Sequence, residues 1–380
     1  MTDAHDAANA SRRIAYLDNI RVFLTALVVL HHFAITYGAP GGWYYIEQPV
    51  DGMAALILWP FVAINQAYFM GFFFLLSAYL VPGSLRRKGK RRFLTDRLVR
   101  LGIPLAVYII VLNPILDELS AVADGNATHG FWADIVDHWG TRFGAGPMWF
   151  VGFLLLLTSI YLLLPERRSS AEAKGPIRLT IANTTVFALG LGLFTFLVRT
   201  AAPIGTWVPN LVEPAHAPQY VALFWLGIVA GRRGWEEEVP RSVERYWAWI
   251  LPASLLVGFA VLRISLGADG DPALALGGFG IPSLAYSVWE HLWCVGVIVL
   301  LLGIFRRRFG SQGPILQSTA LDSYATYIMH PLVLVAIAIL LQSLVLPALA
   351  KFLLFAPLAV FAAFAIGHLT RSLPAARRVL

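Results

Sequence analysis

Four ionisable side chains stand in one apolar run near the start of this 380-residue chain, Tyr16-Leu17-Asp18-Asn19-Ile20-Arg21-Val22-Phe23-Leu24-Thr25-Ala26-Leu27-Val28-Val29-Leu30-His31-His32-Phe33. The run is long enough to cross a bilayer, and an ionisable group in such a segment costs at least a few kcal/mol, so those retained face a cavity or a partner. Eleven helical steps of ~100° bring His32 to within ~20° of Arg21, and three turns, ~16 Å, separate them along the axis. Thr25 falls on the same stripe, Asp18 sits three residues from Arg21 and orients it, and His31 points ~100° away. A neutral imidazole inside a bundle is suited to be a general base or proton carrier. The plainer alternatives are an arginine snorkelling to the membrane face and a histidine hydrogen-bonded across helices.

Further candidates lie along the chain. Arg97 and Arg100, at i and i+3, are expected to share a helix face at the membrane boundary, where two guanidinium forks suit a phosphate-bearing ligand or simply anchor topology. Ser77 is a nucleophile or a small packing residue, and no adjacent base is visible beside it. Glu290 with His291, and His330 further on, either line a polar cavity or make interhelical hydrogen bonds. Trp149 reads most simply as an interface aromatic. Metal ligation by the outer-loop residues Asp124, His129, Asp134, Asp137, His138, Glu213 and His216 is conceivable, but their scattered spacing lacks a metal-ligand signature, so no metal is expected. Asn126-Ala127-Thr128 fits a glycosylation sequon.

These residues must be positioned by membrane helices. The chain is 58% hydrophobic and 13% charged, with mean hydropathy +0.68, which excludes an ordinary soluble domain. Its net charge of +7 falls in short runs between apolar segments, a topology signal rather than a nucleic-acid surface. Apolar windows at about 17-37, 55-82, 94-118, 147-165, 177-199, 218-232, 246-266, 280-304, 321-345 and 347-369 predict an all-α bundle of about ten transmembrane helices. The last two form separate helices or one re-entrant pair. Basic residues cluster at Arg12-Arg13, Arg86–Arg92, Arg167-Arg168, Arg232-Arg233, Arg306–Arg308 and Arg377-Arg378, all on one side of such a bundle, which puts both termini in the cytoplasm. The expected organisation is a cytoplasmic tail over 1–15, a membrane domain over 16–370 and a second cytoplasmic tail over 371–380. One cysteine, Cys294, excludes an intramolecular disulfide.

Taken in order, the motifs resemble the acyltransferase-3 family of integral membrane proteins. Arg21 and His32 reproduce its arginine, ten residues, histidine motif. FFFLLSAYL resembles its FFFxxSGFL, with Ala78 in place of glycine; FLTDRLVRLGIP resembles its basic element, WFVGFLLLL its fourth-span segment and TYIMHPLVL its late tyrosine-histidine element. LDNIRVFLTALVVLHH is most similar to the branch of glucan biosynthesis protein C. The resemblance implies transfer of an acyl group, acetyl or succinyl, from cytoplasmic acyl-CoA to a hydroxyl on an extracytoplasmic glycan or similar acceptor at the bacterial inner membrane. Arg21 and His32 would be the essential pair with Asp18 in support, Arg97, Arg100 and Thr25 would lie along the donor, and Ser77, Trp149, Glu290, His291 and His330 are substrate-binding candidates. Direct transfer and an acyl-His32 intermediate both fit. The rival reading is a proton-coupled transporter or flippase using Arg21 and His32 as a relay.

Overall fold

The computed structural model describes residues 2–47, 52–126, 130–138, 143–164, 175–208, 211–233, 239–267 and 270–380. Arg142, Arg167-Arg168, His129 and Ala127-Thr128 of the sequon lie outside them. In chain order the helices are α1 (Thr2–Thr36), α2 (Gly52–Gln66), α3 (Phe69–Tyr79), α4 (Val81–Lys88), α5 (Lys90–Arg97), α6 (Ile103–Val107), α7 (Asn113–Ala123), α8 (Phe131–His138), α9 (Trp149–Leu163), α10 (Ile181–Ala201), α11 (Ala217–Arg233), α12 (Arg241–Leu266), α13 (Ile281–Arg308), α14 (Pro314–Leu341) and α15 (Ala348–Ser372).

Among the described residues nine helical stretches are long and apolar enough to cross a bilayer. The tenth hydropathy window is α11, whose 17 residues cover ~26 Å, the lower limit of spanning lengths. α14 and α15 are separate helices of 28 and 25 residues, each of spanning length, rather than a short re-entrant pair. The apolar side chains face outward as well as inward. On α12, Trp249, Leu256, Phe259 and Ile264 are 65–81% exposed, as lipid-facing positions are.

The chain forms two compact units, each assembled from separate stretches. The first comprises Met1–Leu17, Gln66–Leu94 and Leu156–Ser311. There α3 packs against α11 at close range. A Cβ on Gly71 would meet Gln219 Oε1 at 2.9 Å, and one on Gly227 would meet Ala78 Cβ at 2.8 Å. Small residues on both helices permit that approach. Ala78 is fully buried in it, opposite Gly227 of the neighbouring helix. α13 packs on α10 and α12, with Trp247 buried among Ala188, Val243, Val295 and Val299 and its indole N–H donating to Thr184 Oγ1 at 3.0 Å.

The second unit comprises Asp18–Asn65, Thr95–Leu155 and Gln312–Leu380. Its core draws Val29 and Phe33 from α1, Leu58 and Val62 from α2, Leu334 from α14 and Phe352, Ala356, Ala359 and Ala363 from α15. α1 and α14 run in the same direction: Gln312, just before α14, donates to Asn19 Oδ1 at 2.8 Å, and later along both helices His330 meets His32. Two π turns interrupt the third hydropathy span, at Leu98–Gly102 and Tyr108–Leu112. Each precedes a proline, and the reason is local. Pro104 and Pro114 have no N–H to give the carbonyl four residues back, and in the turn before each the bonding shifts to i−5, from Ile103 N–H to the Leu98 carbonyl and from Asn113 N–H to the Tyr108 carbonyl.

Candidate functional site

The second unit holds the candidate site around His32. α1 delivers Asp18, Arg21, Thr25 and His32 on one continuous helix, as the spacing requires. Arg21 Nη1 donates to Asp18 Oδ1 at 2.7 Å, both side chains being 27% exposed. Thr25 donates its hydroxyl to the Arg21 carbonyl at 2.8 Å, which leaves its oxygen lone pairs to accept. The Arg97 guanidinium lies within electrostatic reach of Arg100 and Arg21, so three cations gather where Asp18 and Asp96 are the nearby anions. A π turn over Leu98–Gly102 begins between Arg97 and Arg100; Arg97 is half-buried, while Arg100 is exposed and donates to the Leu380 backbone oxygen at 2.9 Å.

At the other end of the stripe the two histidines separated by 298 residues meet. His330 Nδ1 lies 2.6 Å from the Tyr327 carbonyl, which can only accept, so Nδ1 carries the proton and Nε2 the lone pair. His32 Nδ1 is 3.2 Å from that lone pair and 3.0 Å from the Val28 carbonyl. Two acceptors around one nitrogen require it to be the donor. His32 Nε2 is therefore the unprotonated nitrogen. His32 is half-buried, whereas His31 and His330 are buried, so of the three imidazoles His32 is the accessible one. His31 packs edge-on against it, with ring centroids 5.3 Å apart.

Several groups around the pair escape sequence reasoning. Trp43, in the segment after α1, stacks on His32 with centroids 4.2 Å apart and planes 22° apart, and spans toward His330 at 5.9 Å. Tyr44 O–H donates to Asn113 Oδ1 at 2.5 Å and faces Tyr108 Oη at 2.9 Å; Asn113 Nδ2 donates to Asp117 Oδ2 at 2.9 Å. Burial holds the Tyr44 phenol above its ordinary pKa, so it stays a neutral donor. Tyr327 O–H donates to the Pro147 carbonyl, two residues before Trp149. Trp149 packs edge-on to Phe150, and Phe150 edge-on to Tyr327 at 6.0 Å. The fourth-span and late motifs thus meet at Tyr327.

The remaining candidates belong to the first unit. Ser77 is half-buried on α3. Glu290 and His291 are buried and bonded across helices. Arg199, fully buried on α10, donates to Glu290 Oε2 at 2.6 Å, to Ser287 Oγ at 3.2 Å and to the Ala215 carbonyl at 3.3 Å. His216 Nδ1 lies 3.2 Å from Glu290 Oε1. His291 donates from Nδ1 to the Ser287 carbonyl at 2.7 Å, and Thr195 donates to its Nε2 at 3.2 Å. Arg199 and His216 are the partners the sequence reading lacked, although an arginine in an apolar window is itself a signal. Among the described residues no group of three or more His, Cys, Asp or Glu side chains is placed to hold a metal ion.

Fold and composition together define a polytopic all-α membrane protein, with an imidazole pair held inside one of its two units. The acyltransferase domain that characterises the acyltransferase-3 family matches residues 14–368, and the chain belongs to that family. It is a membrane acyltransferase. No curated protein and no solved structure matches it.

Proposed function

We propose that the protein moves an acetyl or succinyl group from cytoplasmic acyl-CoA to a hydroxyl of an extracytoplasmic glycan, with His32 as general base. The observation that carries this is the proton arrangement of the histidine pair, which leaves His32 Nε2 as a lone-pair acceptor on an accessible ring. Arg21, Arg97 and Arg100 supply charge for the donor's phosphates, with Asp18 orienting Arg21. The ~16 Å of helix between Arg21 and His32 matches an extended donor arm lying along Thr25 with its thioester near the imidazole. Tyr44, Asn113 and Asp117 offer donors and acceptors suited to a polyhydroxyl acceptor, and the similarity of LDNIRVFLTALVVLHH to the glucan biosynthesis protein C branch favours a periplasmic glucan.

In the reaction the acceptor O–H proton passes to His32 Nε2 while its oxygen attacks the thioester carbonyl. The tetrahedral species collapses with loss of the CoA thiolate, which takes the proton back from His32. His330 holds His32 in the required tautomer and accepts more strongly from Nδ1–H once the ring is cationic. The test is CoA release by the purified protein in lipid, supplied with acetyl-CoA or succinyl-CoA, with and without a periplasmic glucan fraction, beside His32→Gln. Acceptor-dependent release that His32→Gln abolishes supports the reading. Equal release by the variant removes His32 from the base role, and failure to bind either donor removes acyl-CoA.

A further inference from the structure

Trp43 lies in a segment that is closed onto the end of α1. Gly38 turns the chain with φ +111°, a conformation L side chains rarely adopt, and Ala39 N–H returns to the Ala34 carbonyl at 3.0 Å. At the far end of the segment Glu47 N–H donates to the Thr36 carbonyl at 2.9 Å. Lys351 of α15, 2% exposed, clamps the Glu47 carboxylate at 2.6 Å and donates to the Leu341 carbonyl at 2.9 Å. A largely buried ion pair therefore ties down the end of the segment that carries the indole. Its face covers His32 and reaches over His330, the planes tilted by 22° and 18°.

The indole Nε1–H of Trp43 is buried and has no hydrogen-bond partner among the described residues. A phenyl ring would stack there without that unmet donor, and an unmet buried donor beside a reactive group calls for an explanation. Trp289 and Trp293 in the first unit share the feature, but they pack tilted against one another at 6.0 Å rather than stacking on a histidine. We infer that Trp43 is a further catalytic residue, whose indole N–H binds the acyl carbonyl oxygen as charge develops on it during transfer. The inference rests on His32 being the base.

The geometry divides the work between two nearly parallel layers. Nε2 of His32 takes a proton in the plane of its ring, so the attacking hydroxyl oxygen is drawn into that layer. The carbonyl carbon is one new bond away, and its oxygen extends toward the layer of the indole. As the C–O bond forms, the carbonyl π pair moves onto that oxygen and the fixed N–H stabilises it. When the C–S bond breaks the pair returns, and the thiolate leaves with the proton held by His32. A donor already fixed before charge appears needs no reorganisation, which is the source of its effect.

The experiment compares Trp43→Phe, which keeps an aromatic face, with the wild type in lipid, using acetyl-CoA or succinyl-CoA and the glucan fraction. The expected result is a fall in kcat of about 10²–10³-fold, with KM for donor and acceptor within about threefold. Site-specific incorporation of the tryptophan analogue with sulfur in place of N–H guards against a packing defect, and the same fall is expected there. A kcat within threefold of wild type in either variant, or a loss confined to KM, overturns the inference. If His32→Gln is inactive while Trp43→Phe turns over normally, the base assignment stands and only the indole donor falls. If His32→Gln turns over normally, both fall together.

Discussion

The tautomer of His32 is decided by a backbone carbonyl on another helix. Tyr327 O fixes the proton on His330 Nδ1, and His330 Nε2 then fixes the proton on His32 Nδ1. Remove His330 and His32 still has the Val28 carbonyl at 3.0 Å, so orientation is weakened rather than lost. His330→Ala should therefore lower kcat by about 10- to 100-fold, the range for a partner that orients a reactive group, while KM for the donor stays near wild type. Steady-state kinetics beside a melting curve decides it; an unchanged kcat in a folded variant would remove His330 from the mechanism. The sequence made Arg21, Asp18 and His32 legible because a charge inside an apolar run is costly enough to stand out and helical spacing is local. His330 was legible as an unusual residue but not as a partner, since 298 residues separate it from His32 and periodicity carries no information across helices. Trp43 was not legible at all: a tryptophan in an outer loop has the composition of any interface aromatic.

At the scale of elements, hydropathy located the spanning segments because burial in lipid demands ~20 apolar residues, and most windows recur as helices within a few residues. It did not locate the π turns. Pro104 and Pro114 were visible, but the shift to i−5 bonding in the turn before each depends on the helix continuing through them. The buried pins between helices were half visible. Glu290 stood out, whereas its partner Arg199 falls at the very edge of the window 177-199. The two are 0–1% exposed. Replacing the arginine alone leaves a carboxylate without its cation, so Arg199→Met should destabilise the protein by ~3–5 kcal/mol. Adding Glu290→Gln should recover a large part of that, because the uncompensated charge is gone. Thermal unfolding of the three forms in one detergent tests the coupling; strictly additive losses would show that Arg199 acts through packing, not charge.

For the molecule as a whole, orientation follows from where the basic residues fall. The run Arg86–Arg92 and the run Arg306–Arg308 carry dense positive charge, while the segment 267–279 has no lysine or arginine and contains Asp271. Insertion retains basic loops in the cytoplasm, and acidic loops exert little opposing pull, so the first two are expected inside and the third outside. The donor end proposed at Arg97 and Arg100 then faces the acyl-CoA pool, since those residues follow the basic run directly. The chain lends itself to a direct measurement because its one cysteine, Cys294, is buried. In a Cys294→Ser background, Lys90→Cys and Ala273→Cys each place one thiol at an exposed position. A membrane-impermeant maleimide added to intact spheroplasts should label Ala273→Cys and leave Lys90→Cys unmodified until the membrane is opened. The reverse pattern would invert the protein and put the arginine cluster on the side that lacks acyl-CoA, which would leave Arg21, Arg97 and Arg100 without the donor proposed for them.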